Sequence, residues 1–257
     1  MMTLSVATWN VNSIRARMDL LLEWLRGNEP DVVCLQETKV HDDEFPVDVF
    51  DELGYTVAFK GQKTYNGVCI LSTMGFEDVK KDFEAIEGDD KRLLQATIGD
   101  VTVINGYFPH GRSPGSPAFY DKLDFIESLR EYMSDAFLPG EAVVLVGDFN
   151  VAPEAIDVYD PELLEGSIGF HPQERDALAL LQEWGFIDAF RVLHPDVEAF
   201  SWWDYRGGFK HNRGMRVDHV WVSEAFKDSI TKCVIHGEMR TAERPSDHVP
   251  VVVTLAV

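Results

Sequence analysis

Short apolar runs alternate along the whole chain with longer stretches in which apolar residues recur every three or four positions. The first pattern is typical of buried strands and the second of amphipathic helices. The apolar runs predict strands at residues 4–9, 31–36, 56–59, 67–73, 93–98, 101–107, 142–146, 217–222 and 249–255. The helical spacing predicts helices at residues 14–26, 117–137 and 172–184.

Both halves of the chain share this rhythm, which is typical of two β-sheets packed face to face with helices outside. The 257 residues suffice for one large domain or two small ones, and no linker, low-complexity segment or repeat separates the halves. We therefore predict an α/β protein with a single domain over residues 1–257. Because no run approaches the roughly 20 apolar residues of a membrane span and no signal peptide is evident, we expect a cytoplasmic protein.

Composition adds two constraints. The three cysteines lie far apart without a CxxC pair, which favours free thiols over a disulfide or a zinc site. The net charge of −21 argues against tight non-specific binding to nucleic acid. Only residues 202–216, WWDYRGGFKHNRGMR, depart from this balance, with four basic residues against one acid. This segment would give an acidic body a locally basic face.

Polar side chains occur where the predicted strands begin or end. They are Asn10, Gln36, Glu37, Asn105, Tyr107, Asp148, Asn150, Asp218, Asp247 and His248. Each alone has an ordinary explanation, such as a helix cap or a turn. Together they indicate a site for a metal ion and a phosphate, because a polar group at the mouth of a buried strand costs free energy unless it is paired. Hard oxygen donors without Cys₂His₂ spacing favour Mg²⁺ or Mn²⁺ over structural zinc.

Spacing assigns directions to some of these side chains. Asp148 and Asn150 are two residues apart on a segment expected to be extended, so both should project to the same side and face one phosphate. Asp247 and His248 are neighbours and should point to opposite sides. The carboxylate that orients the His248 imidazole should therefore come from another strand, and Asp218 is our choice. Asp247 is then expected to face the metal, and His248 to be the cationic donor to the phosphate.

Eight segments resemble a known family in order along residues 4–256. They are SVATWNVNSIRAR, DVVCLQETK, YNGVCILS, NGYFPHG, GDFNVAP, FSWWDYR, NRGMRVDH and PSDHVPV. They look like the motifs of exonuclease III-type AP endonucleases, which belong to the endonuclease–exonuclease–phosphatase superfamily. GDFN or SDH alone would also fit phosphatases of that superfamily, whereas LQETK with NGYFP, WWDYR and NRGMRVD is far more specific to the DNA-repair branch.

The resemblance implies a four-layered α/β sandwich of two packed mixed β-sheets flanked by helices. It implies hydrolysis of the DNA backbone 5′ to abasic sites, with 3′–5′ exonuclease and 3′-end-cleaning activity. The implied partner is double-stranded DNA with abasic sites or damaged 3′ ends, and no feature requires more than a monomer. The implied cofactor is Mg²⁺, with Mn²⁺ also accepted. Glu37 matches the main metal ligand, with Asn10 beside it and Asp247 as a further candidate.

The resemblance also implies catalytic roles. Asp148 matches the group that activates the attacking water or, alternatively, protonates the leaving oxygen. Asn150 matches the residue that positions the nucleophile, and Tyr107 matches a phosphate contact. His248 matches the phosphate-binding histidine, oriented by Asp218.

Residues 202–216 would then face DNA. One of the adjacent Trp202 and Trp203 is expected to line the apolar pocket for a flipped-out sugar that lacks its base, and the other to lie in the core. Met215 and Val217 stand where the family carries apolar pocket residues. The expected contacts to the DNA backbone are Lys60, Lys63, Arg112, Arg206, Lys210 and Arg213, and His110 is expected to tune contacts beside the lesion. Asn12 stands where some relatives carry an acid, which puts a second metal ligand at that position in doubt.

Two rival functions remain open from the sequence. A phosphatase or phosphodiesterase acting on inositol phosphates or lipids would use the same metal core, and the acidic charge favours it. A non-catalytic DNA-binding relative would need broken chemistry, yet the complete catalytic set is present.

Overall fold

The computed structural model describes residues 3–83, 86 and 91–257. The strands in these ranges are β1 (Thr3–Asn10), β2 (Val32–Gln36), β3 (Thr56–Lys60), β4 (Val68–Ser72), β5 (Asp78–Lys80), β6 (Leu93–Ile98), β7 (Val101–Tyr107), β8 (Val143–Asp148), β9 (Ile187–Asp188), β10 (Trp202–Trp203), β11 (Gly214–Met215), β12 (Asp218–Val222), β13 (Ile230–Ile235) and β14 (Val251–Ala256). The α-helices are α1 (Met18–Asn28), α2 (Asp48–Asp51), α3 (Pro117–Ala136), α4 (Pro161–Leu164), α5 (Pro172–Gln182) and α6 (Ala189–Leu193).

Two six-stranded sheets contain most of these strands. The first has the order β13-β14-β1-β2-β4-β3 and the second the order β5-β6-β7-β8-β12-β9. Each sheet has one parallel pair near its centre, β1 with β2 and β7 with β8, among antiparallel neighbours. The two-stranded sheet β10-β11 lies apart from them. Because β14 pairs with β1, the two ends of the chain share one sheet.

Three apolar layers hold the sheets and helices together. Val146 and Val253 belong to the layer between the two sheets. Phe125 of α3 and Leu178 of α5 pack on the outer face of the second sheet, and Leu21 of α1 packs on the outer face of the first. The central strands are therefore buried on both faces, which is why they appear in the sequence as unbroken apolar runs. The predicted four-layered α/β sandwich of two mixed sheets is confirmed.

The largest error in the predicted elements is the start of α1, which begins at Met18 and not at residue 14. Asn12 and Ser13 adopt positive φ angles of 45° and 90°. The backbone N–H groups of Val11, Ser13 and Ile14 instead donate to residues 36–38, the segment that follows β2. Buried Ile14 anchors this segment to the core, so its apolar character was misread as helical periodicity.

Two further findings complete the fold. The edge strand β13 was missed because only Cys233 in it is fully buried, so the strand lacks a continuous apolar run.

Among the described residues, no helix combines the length and apolar character that crossing a bilayer demands.

Candidate active site

The ends of strands from both sheets meet at one edge of the sandwich. The side-chain amide of Asn10, at the end of β1, donates to Glu37 just after β2 at 2.8 Å. It also donates to Asp148 at the end of β8, again at 2.8 Å. Asp148 is directly paired with Asp218 of antiparallel β12 and with Tyr107 of parallel β7. A single amide therefore links the two sheets where the polar residues predicted from the sequence converge.

His248 lies between two buried carboxylates. Its Nδ1 atom is 2.9 Å from Asp218 Oδ2, and its Nε2 atom is 3.7 Å from Asp148 Oδ2. Burial lowers the pKa of His248, but the charges of Asp218 and Asp148 outweigh burial and raise this pKa from 6.5 to about 10. The imidazole is therefore protonated at neutral pH. Asp218 orients it, as the strand-alternation reasoning predicted.

The carboxyl group of Asp148 has a different balance. Burial raises its pKa, and although the charge of His248 opposes this effect, the pKa rises from 3.8 to about 7. A carboxyl group with a pKa near neutrality can accept or donate a proton at physiological pH.

Two serines that the sequence reasoning missed fix this arrangement. Ser201 Oγ accepts the backbone N–H groups of Val217 and Asp218, each at 3.0 Å, and so holds the start of β12. Ser246 Oγ accepts the N–H of His248 at 3.2 Å and donates to the carbonyl of Asn10 at 2.7 Å. Both serines lie inside quoted segments, Ser201 in FSWWDYR and Ser246 in PSDHVPV, but neither segment indicated a role for the serine itself.

Glu37, directly after β2, is the centre of a second cluster of polar side chains and adopts a left-handed backbone conformation with φ of 51°. Its carboxylate accepts the Asn10 amide and lies 2.7 Å from Lys39 Nζ. Burial opposes ionisation of Glu37, but the hydrogen bonds from Asn10 and Lys39 and the positive charge of Lys39 lower its pKa overall. The carboxylates of Glu37 and Asp148 thus converge on one amide, and this hard donor set fits a divalent cation such as Mg²⁺.

A second grouping of potential ligand atoms comprises Asp148, Asp218 and His248, which lie within 4.8 Å of one another. A metal ion requires a neutral imidazole nitrogen. Here Nδ1 is already bonded to Asp218, which leaves Nε2, next to Asp148, as the ring nitrogen open to a metal ion.

Asp247 lies at the edge of the Glu37 cluster. Its two carboxylate oxygens accept Asn12 Nδ2 at 2.9 Å and Trp202 Nε1 at 3.2 Å. Asn12 in turn accepts Lys39 Nζ at 2.6 Å, which connects Asp247 to Glu37. Asp247 and its neighbour His248 thus have different partners, as expected of adjacent residues on an extended chain.

Asn150 does not lie on an extended segment, so that part of the spacing prediction is wrong. Its φ is 53°, and its backbone N–H donates to Asp148 Oδ1 at 2.9 Å. The two residues are brought together by a turn that the Asp148 side chain closes, a conformation that Asn tolerates better than most residues. Gly147 is required next to this turn, because a Cβ atom there would lie 1.8 Å from the carbonyl oxygen of Gly106.

Tyr107 is half-buried beside the same carboxylates. Burial and the charges of Glu37 and Asp148 raise the pKa of its phenol, so it stays protonated and can donate a hydrogen bond. The guanidinium of Arg92 lies 4.7 Å from the centre of its ring.

The two adjacent tryptophans have different surroundings. Trp203 is 4% exposed and packs with Phe200 and Val249, so it is the core member of the pair and is removed from the candidate contacts with DNA. Trp202 is half-buried, with its ring centre 6.5 Å from that of His248. It packs against an apolar cluster containing Met215 and Val217, both less than 10% exposed. This cluster lies beside His248 and contains the residues for which the sequence predicts an apolar sugar pocket.

The basic residues divide into two groups. Of the basic residues expected to contact DNA, these are exposed: Lys63, His110, Arg112, Arg206, Lys210 and Arg213. Arg216 is 1% exposed and forms buried ion pairs with Asp157 and Asp188, so it is not part of a basic face. Lys60 is also buried and pairs with Asp82, which excludes the expected phosphate contact. The basic face over residues 202–216 is therefore narrower than the sequence suggested.

A sandwich of two mixed sheets, with a protonated histidine and clustered carboxylates at one edge, defines a metal-assisted phosphoesterase. Residues 7–248 match the Endonuclease/Exonuclease/phosphatase family, and the chain belongs to it. It is 35% identical to the exodeoxyribonuclease III of Haemophilus influenzae over 95% of this chain and 97% of that protein. The resemblance to exonuclease III-type enzymes is confirmed.

Solved structures agree with this assignment. An AP endonuclease from Archaeoglobus fulgidus superposes with a TM-score of 0.95 and 37% identity, over 99% of this chain and all of that one. A 3′ phosphatase from Neisseria bound to a product DNA hairpin has a TM-score of 0.94 and 36% identity, over 99% of this chain and all of that one.

Proposed function

We propose that this chain is a divalent-metal-dependent DNA-repair nuclease that hydrolyses the phosphodiester bond 5′ to abasic sites. We further propose that it removes nucleotides and damaged groups from 3′ ends at the same site. The observation that carries the proposal is the protonated His248 between two buried carboxylates, next to the apolar cluster at Trp202. The similarity to an exodeoxyribonuclease III, an AP endonuclease and a 3′ phosphatase supports it.

His248 and Asp218 form the phosphate-binding part of the proposed mechanism. Asp218 holds Nδ1, so the proton on Nε2 is available to a non-bridging phosphate oxygen. The positive charge is in place before the reaction and stabilises the negative charge that develops on the phosphate. Tyr107 donates a second hydrogen bond to the same phosphate.

Asp148 moves the proton in this mechanism. Its carboxylate either takes a proton from the attacking water or, when protonated, gives one to the leaving oxygen, and a pKa near 7 suits both roles. Asn150 positions the attacking water in this mechanism, because its backbone N–H donates to Asp148 and the residue is therefore fixed next to that carboxylate.

Glu37 would hold the metal ion, with Asn10 beside it and Asp247 as a further ligand at the edge of the cluster. Mg²⁺ is the proposed ion, with Mn²⁺ as a substitute. When bound, it would supply Lewis-acid stabilisation of charge on the phosphate.

The apolar cluster supports the proposed preference for damaged DNA. Trp202, Met215 and Val217 would receive a sugar rotated out of the duplex, and a missing base lowers the cost of that rotation. The exposed basic residues are proposed to contact the DNA backbone: Lys63, Arg206, Lys210 and Arg213, with His110 beside the lesion.

We also propose that residues 1–257 form one catalytic domain that acts as a monomer. The pairing of β1 with β14 supports a single domain, because strands from both ends of the chain complete one sheet. Cys34, Cys69 and Cys233 are free and buried, which suits the reducing cytoplasm proposed as its location.

The test is incision of a labelled duplex that carries one synthetic abasic site, with Mg²⁺ and then with EDTA. We expect metal-dependent nicking immediately 5′ to the lesion, little cleavage of the undamaged duplex, and loss of nicking in the Asp148→Asn variant. Release of phosphate from an inositol phosphate without nicking would refute the choice of substrate and favour the phosphatase alternative. Nicking at a near-normal rate in Asp148→Asn would remove Asp148 from the proposed mechanism.

A further inference from the structure

A buried ion pair lies behind the turn that carries Asn150. Lys122 on α3 and Glu174 on α5 form this pair, and both side chains are fully buried. Neither residue lies in a motif that the sequence analysis singled out. The two residues therefore need an explanation apart from direct contact with DNA.

The pair binds the backbone of two segments next to the active site. Lys122 Nζ donates to the carbonyl oxygen of Asn150 at 2.8 Å and to Glu174 Oε1. Glu174 Oε2 accepts the N–H groups of Gly169 at 2.7 Å and His171 at 3.1 Å. Gly169 in turn accepts the N–H of Ala152, two residues after Asn150. The ion pair thus connects the Asn150 turn with residues 169–171.

Three hydrogen bonds fix Asn150, and one of them comes from the ion pair. Its N–H donates to Asp148, its carbonyl accepts Lys122, and its side-chain amide donates to the carbonyl of Phe108 at 3.0 Å. Its left-handed φ of 53° is a conformation that few residues other than glycine adopt readily. Lys122 supplies the contact that comes from the helical layer behind the sheet.

The physical cost of the pair indicates what it provides. Burying two charges requires a large desolvation free energy, and apolar side chains of similar size often give equal or better stability. What a charged pair provides, and apolar packing does not, is directional hydrogen bonds to backbone groups, of which the shortest from Lys122 to a carbonyl is 2.8 Å and the longer one, to His110, is 3.5 Å. The shorter bond is to the carbonyl oxygen of Asn150, the residue proposed to position the nucleophile.

We propose that Lys122 and Glu174 are positioning residues that set the orientation of the Asn150 side chain. They contribute to kcat without contacting DNA, and they act through Asn150. This inference rests on the proposed function, because it assigns Asn150 a place beside the attacking water.

The test is a double-mutant cycle between the ion pair and Asn150. The combined variant Lys122→Met with Glu174→Gln removes both charges at nearly constant volume, so it leaves no unpaired buried charge. We expect kcat on abasic duplex to fall at least about tenfold with KM within about twofold, because the transition state loses a contact that binding does not use. In the Asn150→Ala background the same pair of changes should cause no further fall in kcat.

The matched control is the exposed pair Glu127 and Arg130 on the same helix α3. Glu127→Gln with Arg130→Met also removes two charges, and it should leave kcat unchanged. A second readout is the side-chain amide resonance of Asn150, which should shift in the buried variant and not in the control. Circular dichroism establishes folding. If the combined variant does not fold, Lys122→Gln with Glu174→Gln, which also leaves no unpaired buried charge, replaces it in the same cycle.

Two results would overturn the inference. One is a folded variant whose kcat stays within about twofold of wild type, and the other is an equal fall in the wild-type and Asn150→Ala backgrounds. Failure of the proposed function is separate, because wild-type protein would then leave abasic duplex intact. The cycle would in that case be measured on inositol phosphate hydrolysis, which would use the same Asn150.

Discussion

The charge on His248 depends on Asp218, and the substitution Asp218→Asn separates charge from shape. The amide has the same size as the carboxylate and can still accept the hydrogen bond from Nδ1. It lacks only the negative charge 2.9 Å from the imidazole. We therefore expect the pKa of His248 to fall while the fold is retained.

The structure sets the magnitude of this fall. Two unit charges 2.9 Å apart interact by about 6 kcal/mol at an effective dielectric constant of about 20. Loss of this interaction would lower the pKa of His248 by at most about four. Asp148 remains 3.7 Å from Nε2 and keeps part of the effect. We expect the pKa of His248 to fall from about 10 to about 8 or lower.

Stability should change with pH in the same variant. A histidine whose pKa is raised from 6.5 to about 10 on folding stabilises the native state fully below pH 6.5 and loses this contribution as the pH rises to 10. The whole rise corresponds to about 5 kcal/mol. Wild-type protein should therefore lose stability between pH 7.5 and 10, and Asp218→Asn should lose much less over that interval.

The assay is NMR titration of the histidine ring resonances in metal-free protein, with urea unfolding at pH 7.5 and pH 10. The control is Asp247→Asn, because that carboxylate is adjacent in sequence but bonds to Asn12 and Trp202. It should lower the pKa of His248 much less. The reasoning is refuted if Asp218→Asn leaves this pKa near 10, or if the control lowers it equally.

Three further predictions concern metal binding, the apolar pocket and the acidic charge. Glu37→Gln should raise the Mg²⁺ concentration for half-maximal incision at least about tenfold, which a Mg²⁺ titration of the incision rate measures. An unchanged Mg²⁺ concentration for half-maximal incision would exclude Glu37 as the main metal ligand. Trp202→Ala should raise KM for abasic duplex with little change in thermal stability, whereas Trp203→Ala should destabilise the fold by about 3–5 kcal/mol; equal effects on KM would contradict the placement of the two rings. Raising KCl from 0.05 to 1 M should increase the melting temperature, because salt screens the repulsion within a chain of net charge −21. Affinity for DNA, measured by fluorescence anisotropy, should fall over the same range of KCl. A melting temperature that falls with added KCl would contradict the argument that salt screens repulsion within the chain.

The sequence by itself determined the central strands, the principal helices and the polar residues at the strand ends. Strands buried on both faces need continuous apolar runs, and polar groups at their ends must find partners, so both features are written locally in the chain. The assignment of Asp218 to His248 also followed from the sequence, because neighbouring side chains on a strand must diverge.

Only the tertiary structure decided which charged and aromatic residues face solvent. Arg216 looks like part of a basic face in the sequence, yet it is buried against Asp157, which is distant in the chain. The sequence likewise does not say which of Trp202 and Trp203 is the core residue, and packing with Val249 assigns Trp203 to the core. The turn at Asn150 likewise depends on Lys122, 28 residues earlier, and on Glu174, 52 residues beyond Lys122. Burial and pairing of this kind arise when separate elements pack together, and the local pattern around a single residue does not contain them.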